Sequence, residues 1–374
     1  MSGFSVDPEV VRGAGLDMHR LALAVGMART CVENNVHVDT GGTFLNEIAR
    51  VANDDLRVEL LDDYGTRGTA FTAFSNAGLA LTKMADDYQS VDAAQAAKID
   101  AVMDTDSGPA PVYMGGDPSV WVHDYSFVTA EVNGFEGFDQ LLQFSENVEY
   151  IVGLDSISGW TTAAGIVDPL RIFREKLKGD WEKLGKVIGA LDNLSAFWTK
   201  VSADVRGVPA KFTGNWVEPP GGPPFYQGNA EYGGAPNWSG KAASATAAWM
   251  EKVGGKADDH EYAIYLLTTG IRFRLQAMYQ AMDLLLDTVQ DLIEILPWGQ
   301  SFDDFVKDTV LPWRQAERLK KIVGAVGKVV TRVDALLILV QELLGVFSSL
   351  VASIHDLGFP EAGYDAPDVN GPGK

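Results

Sequence analysis

Apolar residues recur three and four positions apart along most of this chain, over stretches longer than strand alternation sustains, and that spacing predicts long amphipathic helices. The clearest stripe runs from Ile322 through Val326, Val333, Val340 and Phe347 to Ile354. A second runs from Ile271 through Met278, Leu285 and Leu292 to Leu296 and stops at Pro297, which cannot continue a helix. A third begins at Leu170 and passes Leu177, Trp181, Ile188 and Trp198 to Val205, ending at Gly207 and Pro209. An apolar stripe of this kind needs a partner surface, so the helices are expected to pair.

The first hundred residues show the same logic. Asp7-Pro8-Glu9 is a helix start, with Asp as the cap and Pro at the first helical position, and the helix should reach about Val36. The segment from His37 to Asn53, with Gly41-Gly42, is expected to loosen it. A further helix begins near Thr69 and sets Phe71, Phe74, Gly78, Leu81, Ala85, Tyr88, Asp92 and Gln95 on one face, which makes residues 1–104 a helical hairpin. Two regions break the pattern. Residues 105–134 carry Pro109, Pro111, Gly115-Gly116 and Pro118, with an alternating Val120, Val122, Tyr125 and Phe127 that suits a short ribbon. Residues 207–236 are denser still in Pro and Gly and read as an extended loop at a hairpin tip. The polar stretch from Gly358 to the last residue reads as a disordered tail.

Composition bounds the function. A net charge of −21 and a pI near 4.5 exclude a nucleic-acid partner, because phosphate neutralisation needs clustered Lys and Arg, and such a surface repels an anionic leaflet. The single cysteine, Cys31, excludes an internal disulfide and a cysteine-rich zinc cluster. The first residues lack a basic segment followed by an apolar one, so no classical signal peptide is expected. The most apolar window, Leu343 to Ile354, is shorter than a membrane span and reads as a core helix.

Two short motifs stand out. In Tyr88-Gln89-Ser90-Val91-Asp92 a spacing of four puts a phenol and a carboxylate on one helical face a turn apart, one aromatic anchor and one acceptor for a receptor. Trp238-Ser239-Gly240 lies between the Pro/Gly loop and a helix beginning at Lys241. There a large ring can pack across a hairpin tip, Ser can cap, and Gly lets the chain bend closely.

The Trp-x-Gly turn between long helices resembles the WXG superfamily of actinobacterial type VII (ESX) secretion substrates. Gly179-Asp180-Trp181 before it and the Ala-rich helix start after it are also similar to WXG-type domains. Residues 1–103, from Val6-Asp7-Pro8-Glu9 through Met84-Ala85-Asp86-Asp87-Tyr88 to Ala97-Lys98-Ile99-Asp100, resemble the small Esp-type secreted proteins, whose hairpin ends in Tyr-x-x-x-Asp. The resemblance implies that Tyr88 and Asp92 form an export signal read by the secretion ATPase, with Trp238 and Gly240 the complementary hairpin tip. It implies a secreted or cell-envelope protein, and a chaperone or helical partner. The chain departs from related single-chain substrates in the long stretch between its two motifs and in the length of the loop before Trp238.

Other chemistries find no constellation. Gly234 to Lys241 invites a phosphate-loop reading, but it has five residues between its glycines and an alanine after the lysine, where four and a Ser or Thr are needed. The histidines His19, His37, His123, His260 and His355 are scattered, and Asp258-Asp259-His260 and His37-Val38-Asp39 read as solvated turns. Gly153 to Gly159 lacks the spacing of a nucleophile elbow. The acidic run from Asn53 to Asp62-Asp63 lacks calcium-loop spacing and reads as a solvated face. Trp121, Tyr125, Phe127, Phe135, Phe138, Phe144 and Tyr150 read as a satellite core.

The expected fold is all-α: two helical hairpins or bundles, WXG-like and PE/PPE-like, with residues 105–164 an irregular insertion, 165–357 a helical bundle and 358–374 a tail. The region 301–357 either completes the second bundle or mediates homo-oligomerisation. The expected function is a non-enzymatic secreted substrate or effector scaffold, with no catalytic residue, cofactor or metal. Its rivals are a membrane-active toxin or pore-forming effector, and an enzyme whose site lies in 105–165.

Overall fold

Asp7 starts the first helix as the sequence predicts. Its carboxylate accepts the Glu9 N–H at 2.9 Å, and Pro8 occupies the first position, where no N–H is required. This computed structural model describes residues 7–65, 68–102, 123–130, 132, 138–163, 165, 168–179, 181–212, 216–217, 225–226, 241–296, 312–355 and 357–360. The protein is all-α, as expected. Helix α1, Pro8–Asn35, lies against α4, Thr69–Val102, and buries Val11, Met18, Leu21, Val25 and Val32 in the core. The two helices approach closely where Gly15 crosses Gly78: a methyl on Gly15 would stand 2.7 Å from the Thr82 hydroxyl and 3.0 Å from the Gly78 carbonyl oxygen.

The chain between them is more helical than the expected loosening. Val36–Gly42 is a loop; α2 (Thr43–Arg50), a π-helical segment (Val51–Leu56) and α3 (Arg57–Tyr64) then follow without interruption. Gly41-Gly42 serves a different purpose from loosening, because here two backbones meet: the Gly42 N–H donates to the Lys178 carbonyl, and a methyl on Gly42 would stand 2.7 Å from the Lys176 carbonyl. From the π segment Asn53 reaches back to the loop, accepting the Val38 N–H at 2.9 Å and donating to the Val38 carbonyl at 2.8 Å.

The third stripe is two helices. α7 (Pro169–Leu177) stops at Lys178 and Gly179, which takes a φ of +147°, and α8 (Glu182–Phe212) begins after Trp181. Leu177, Trp181 and Leu184 keep helical spacing across the break. The Trp181 indole N–H donates to the Leu177 carbonyl at 2.8 Å, satisfying a group that α7 leaves unpaired at its end. At its other end α8 passes Pro209 and continues to Phe212. A two-residue antiparallel ladder follows, pairing Trp216 with Tyr226 (β1, Trp216–Val217; β2, Phe225–Tyr226).

Helix α9, Lys241–Ile295, is 55 residues long, about 80 Å at 1.5 Å per residue, and it stops just short of Pro297. It pairs with α8 through Arg272 and Asp192 and through Arg206 with Glu251 and Asp258. It also pairs with α10, Pro312–His355, whose stripe from Ile322 to Ile354 packs against it.

The stretch expected to be irregular contains α5 (Phe138–Val152) and α6 (Asp155–Ala163), because residues 138–163 carry their own helical stripe. Tyr125 and Phe144 join the main core, while Tyr150 is exposed. Phe144 meets Trp181 edge-on at 5.3 Å, and Tyr125 meets Phe197 at 5.3 Å. The ribbon expected around Tyr125 and Phe127 is a 3₁₀ turn, Ser126–Thr129, while Val120, Val122, Trp121 and Phe135 lie outside the described residues. One continuous apolar core runs from Val11 to Phe359, so the two hairpins pack on each other.

Candidate functional site

Helix α4 presents the first motif at the open end of the first hairpin. Arg12 of α1 donates to Asp86 Oδ1 and to Gln89 Oε1, both at 2.9 Å, and also pairs with Glu9. The Asp86 bond, followed by the Glu9 bond, raises the guanidinium pKa above its ordinary value. In an antiparallel pair this clasp sets Tyr88 level with the first turn of α1, and α4 then continues past it to Val102. Tyr88 is half-buried at the edge of the core. Asp92 follows one helical turn later on the same face; its side chain lies outside the described residues, as do Trp238 and Gly240. Helix α9 starts at Lys241, directly after Gly240.

A group of polar and aromatic side chains is buried where the hairpins join. The Trp198 indole N–H of α8 donates to the Tyr64 hydroxyl at 2.8 Å, and burial raises the phenol pKa. The His260 ring of α9 forms a three-ring cluster with Trp198, at 4.8 Å, and Phe359, at 5.0 Å, whose own centroids lie 5.3 Å apart. Its Nε2 faces Asp63 Oδ2 of α3 at 3.7 Å, with 1% of the histidine and 12% of the carboxylate side chain exposed. Asp63 Oδ1 accepts the Thr69 hydroxyl at 2.5 Å, and Thr69 Oγ1 accepts the Phe359 N–H at 3.3 Å. Burial pushes Asp63 up to about 6 and His260 down to about 4.

This corrects two expectations. Asp258-Asp259-His260 is no solvated turn; it sits within α9. The acidic run is no uniform solvated face either, since Asp63 turns inward. A signal for His260 was present: Met250, Val253, Ala257, His260, Ile264 and Leu267 form one stripe at helical spacing, with the histidine in an apolar slot. The charged neighbours of His260 obscured it.

A second buried carboxylate fastens the 3₁₀ turn. Asp204 of α8 accepts the His123 N–H at 2.8 Å and the Tyr125 hydroxyl at 2.7 Å, and its other oxygen faces His123 Nδ1. Both oxygens are occupied, and no hydroxyl or thiol nucleophile is bonded to His123 among the described residues, so the arrangement is an anchor for residues 123–129. Cys31 is fully buried and its thiol is pushed up to about 11 by that burial. Among the described residues no group of three His, Cys, Asp or Glu side chains could hold a metal ion.

An open groove separates α9 from α10, lined by Leu266, Gly270, Gly345, Val346 and Ser349, with Arg274 ion-paired to Glu342 at 2.9 Å within it. Beside it α9 exposes Tyr262, Tyr265 and Phe273. No family model, curated protein or solved structure matches this chain.

Proposed function

We propose that the chain is a non-enzymatic substrate and effector scaffold of a type VII secretion system, recognised through a helical export signal and acting by protein–protein interaction. The observation that supports this reading most is the form of the first hairpin. α4 outruns α1, and the Tyr88-x-x-x-Asp92 turn stands at the open end, with the Arg12 clasp fixing the helix just before it. A receptor such as the secretion ATPase then meets a folded helix whose phenol is anchored at one edge of the core. The long pairing of α8 with α9 supports the WXG-like half of the reading, whose tip is Trp238 and Gly240. The scaffold acts through helical faces: the exposed Tyr262, Tyr265 and Phe273 of α9 suit a protein partner, a chaperone or a second copy. Export of Tyr88→Ala and Asp92→Ala variants from a host with an active type VII system tests the proposal. Both variants should fold and stay in the cell pellet; export at the wild-type level overturns the signal assignment.

A second reading, a membrane-active toxin or pore-forming effector, is favoured by one feature. Residues 316–354 of α10 are long and apolar enough to cross a bilayer by length and composition. In the fold their apolar stripe packs on α9, so insertion requires α10 to leave its partner. Dye release from anionic vesicles separates the two, since a scaffold leaves them intact.

A further inference from the structure

The imidazole of His260 meets an acidic neighbour at the joint of the two hairpins. On one side Asp63 Oδ2 faces Nε2 at 3.7 Å, and neither that oxygen nor either ring nitrogen makes a hydrogen bond among the described residues. The Leu357 backbone raises the ring's affinity for a proton, as an acceptor does. Both ring nitrogens and the facing carboxylate oxygen are buried away from bulk solvent. A neutral imidazole carries one N–H, and two acceptors call for two.

We infer that Asp63 and His260 work as one proton-holding unit, taking up a single proton between Oδ2 and Nε2, and that this shared site keeps the joint between the hairpins closed as the surroundings acidify. The proton satisfies both facing atoms whether it resides on the carboxyl or on the ring, because the two arrangements have the same proton count. The surrounding groups leave this site to the pair. Lys256 of α9 lowers the ring's affinity for a proton and Glu59 of α3 raises that of Asp63, both behind burial in importance. Thr69 and the Ala70 backbone of α4 hold Asp63. Tyr64 is tied to Trp198 of α8, Cys31 of α1 is a protonated thiol, and Asp258 and Lys256 are engaged with Arg206 and Asp259.

The acid tolerance follows from pairing two opposed tendencies. Alone, His260 at about 4 in the fold against 6.5 unfolded withholds a proton from the native state, so stability is lost as pH falls from 6.5 through 4. Alone, Asp63 at about 6 in the fold against 3.8 unfolded makes the native state the proton-rich one, so stability is gained as pH falls through 6 and is lost as it rises. Together, the native pair takes its first proton near the pH at which an unfolded histidine does, and its second near that of an unfolded aspartate. The two linkages cancel.

Urea unfolding of the full chain at pH 7 and pH 4, for wild type, Asp63→Asn, His260→Phe and the double variant, tests this. Phe keeps the ring cluster with Trp198 and Phe359. Relative to wild type, the unfolding constant of Asp63→Asn should rise on acidification by about 300-fold at most, and that of His260→Phe should fall by about 100-fold at most. The double variant should follow the wild-type pH dependence. Single variants that run parallel to wild type overturn the inference. A second measurement needs no variant: in the wild-type protein the Asp63 carboxyl carbon and the His260 ring nitrogens should shift with one common NMR midpoint. Ring nitrogens that stay still while Asp63 titrates overturn it as well.

Discussion

The Trp198 indole donates its N–H to the Tyr64 hydroxyl at 2.8 Å, with both side chains buried, and this bond joins α8 of the second hairpin to α3 of the first. Their rings also meet at 5.6 Å. Tyr64→Phe keeps the ring contact and removes the acceptor, leaving a buried N–H without a partner. It should destabilise the protein by about 1–3 kcal/mol in urea unfolding. The double variant Tyr64→Phe/Trp198→Phe should lose less than the sum of the single losses, since it removes both halves of the bond. Strict additivity would mean that the bond contributes nothing to the joint.

The crossing of α1 and α4 depends on missing side chains. Gly15→Val puts a branched side chain where even one methyl stands 2.7 Å from the Thr82 hydroxyl and 3.0 Å from the Gly78 carbonyl, and the carbonyl cannot rotate away. Overpacking of this kind costs about 1–3 kcal/mol, more than the few tenths gained in helix propensity, so the thermal midpoint should fall. A midpoint at or above wild type would mean that the helices slide apart without penalty.

Asp204 holds residues 123–129 on α8 by accepting two hydrogen bonds, one of them from the buried Tyr125 hydroxyl. Asp204→Ala leaves that hydroxyl unpaired and cuts the backbone tether at His123, at a cost of about 2–4 kcal/mol for the pair of lost bonds. Cleavage by a protease selective for aromatic residues should move to Tyr125 and Phe127 under native conditions, which mass spectrometry of the first fragments reads directly. An unchanged fragment pattern would show that apolar contact with Phe197 is enough to hold the segment.

Cys31 reports on opening of the first hairpin. Burial pushes its thiol up to about 11, so at pH 8 the thiolate fraction in the native state is on the order of one in a thousand. Iodoacetamide labelling at pH 8 should be slow in the native protein and complete within minutes in guanidinium. Raising the pH towards 11 should accelerate native labelling less than the thiolate fraction alone predicts, because the sulfur is fully buried. Fast labelling at pH 8 would mean that α1 separates readily from its neighbours.

The residues that were readable in the sequence are those whose structure is set locally. The Asp7-Pro8 cap, the start at Thr69, the stop before Pro297 and the stripe of α10 depend on spacing and on backbone chemistry within a few positions. The break at Lys178 and Gly179 was hidden because Leu177, Trp181 and Leu184 keep their helical spacing across it, so periodicity alone cannot register the turn. The joint was hidden for another reason. Tyr64, Trp198, His260 and Phe359 are far apart in sequence, and what makes Asp63 and His260 unusual is burial by one another's neighbours. The Tyr88 to Asp92 turn was readable as a pattern, while the Arg12 clasp that fixes it comes from the other helix of the hairpin.

That clasp separates folding from presentation. Arg12 is partly exposed, and its partner Asp86 has 64% of its side chain accessible, so solvent screens the pair and its loss should change stability by no more than about 1 kcal/mol. Its geometric effect is larger than its energetic one, because Arg12 reaches both Asp86 and Gln89, two positions within one turn of Tyr88. Arg12→Ala should leave the urea midpoint close to wild type while raising amide exchange in the turn from Asp86 to Asp92, where α4 is leaving the cover of α1. If recognition needs a preformed helical face, export of Arg12→Ala should drop although the hairpin is intact. Arg12→Lys, which retains the charge but not the two-pronged reach, should restore exchange protection only in part. Export of Arg12→Ala at the wild-type level, with exchange raised as expected, would mean that the receptor itself orders the turn on binding. In that case the Tyr88 phenol and the Asp92 carboxylate carry the signal without help from α1.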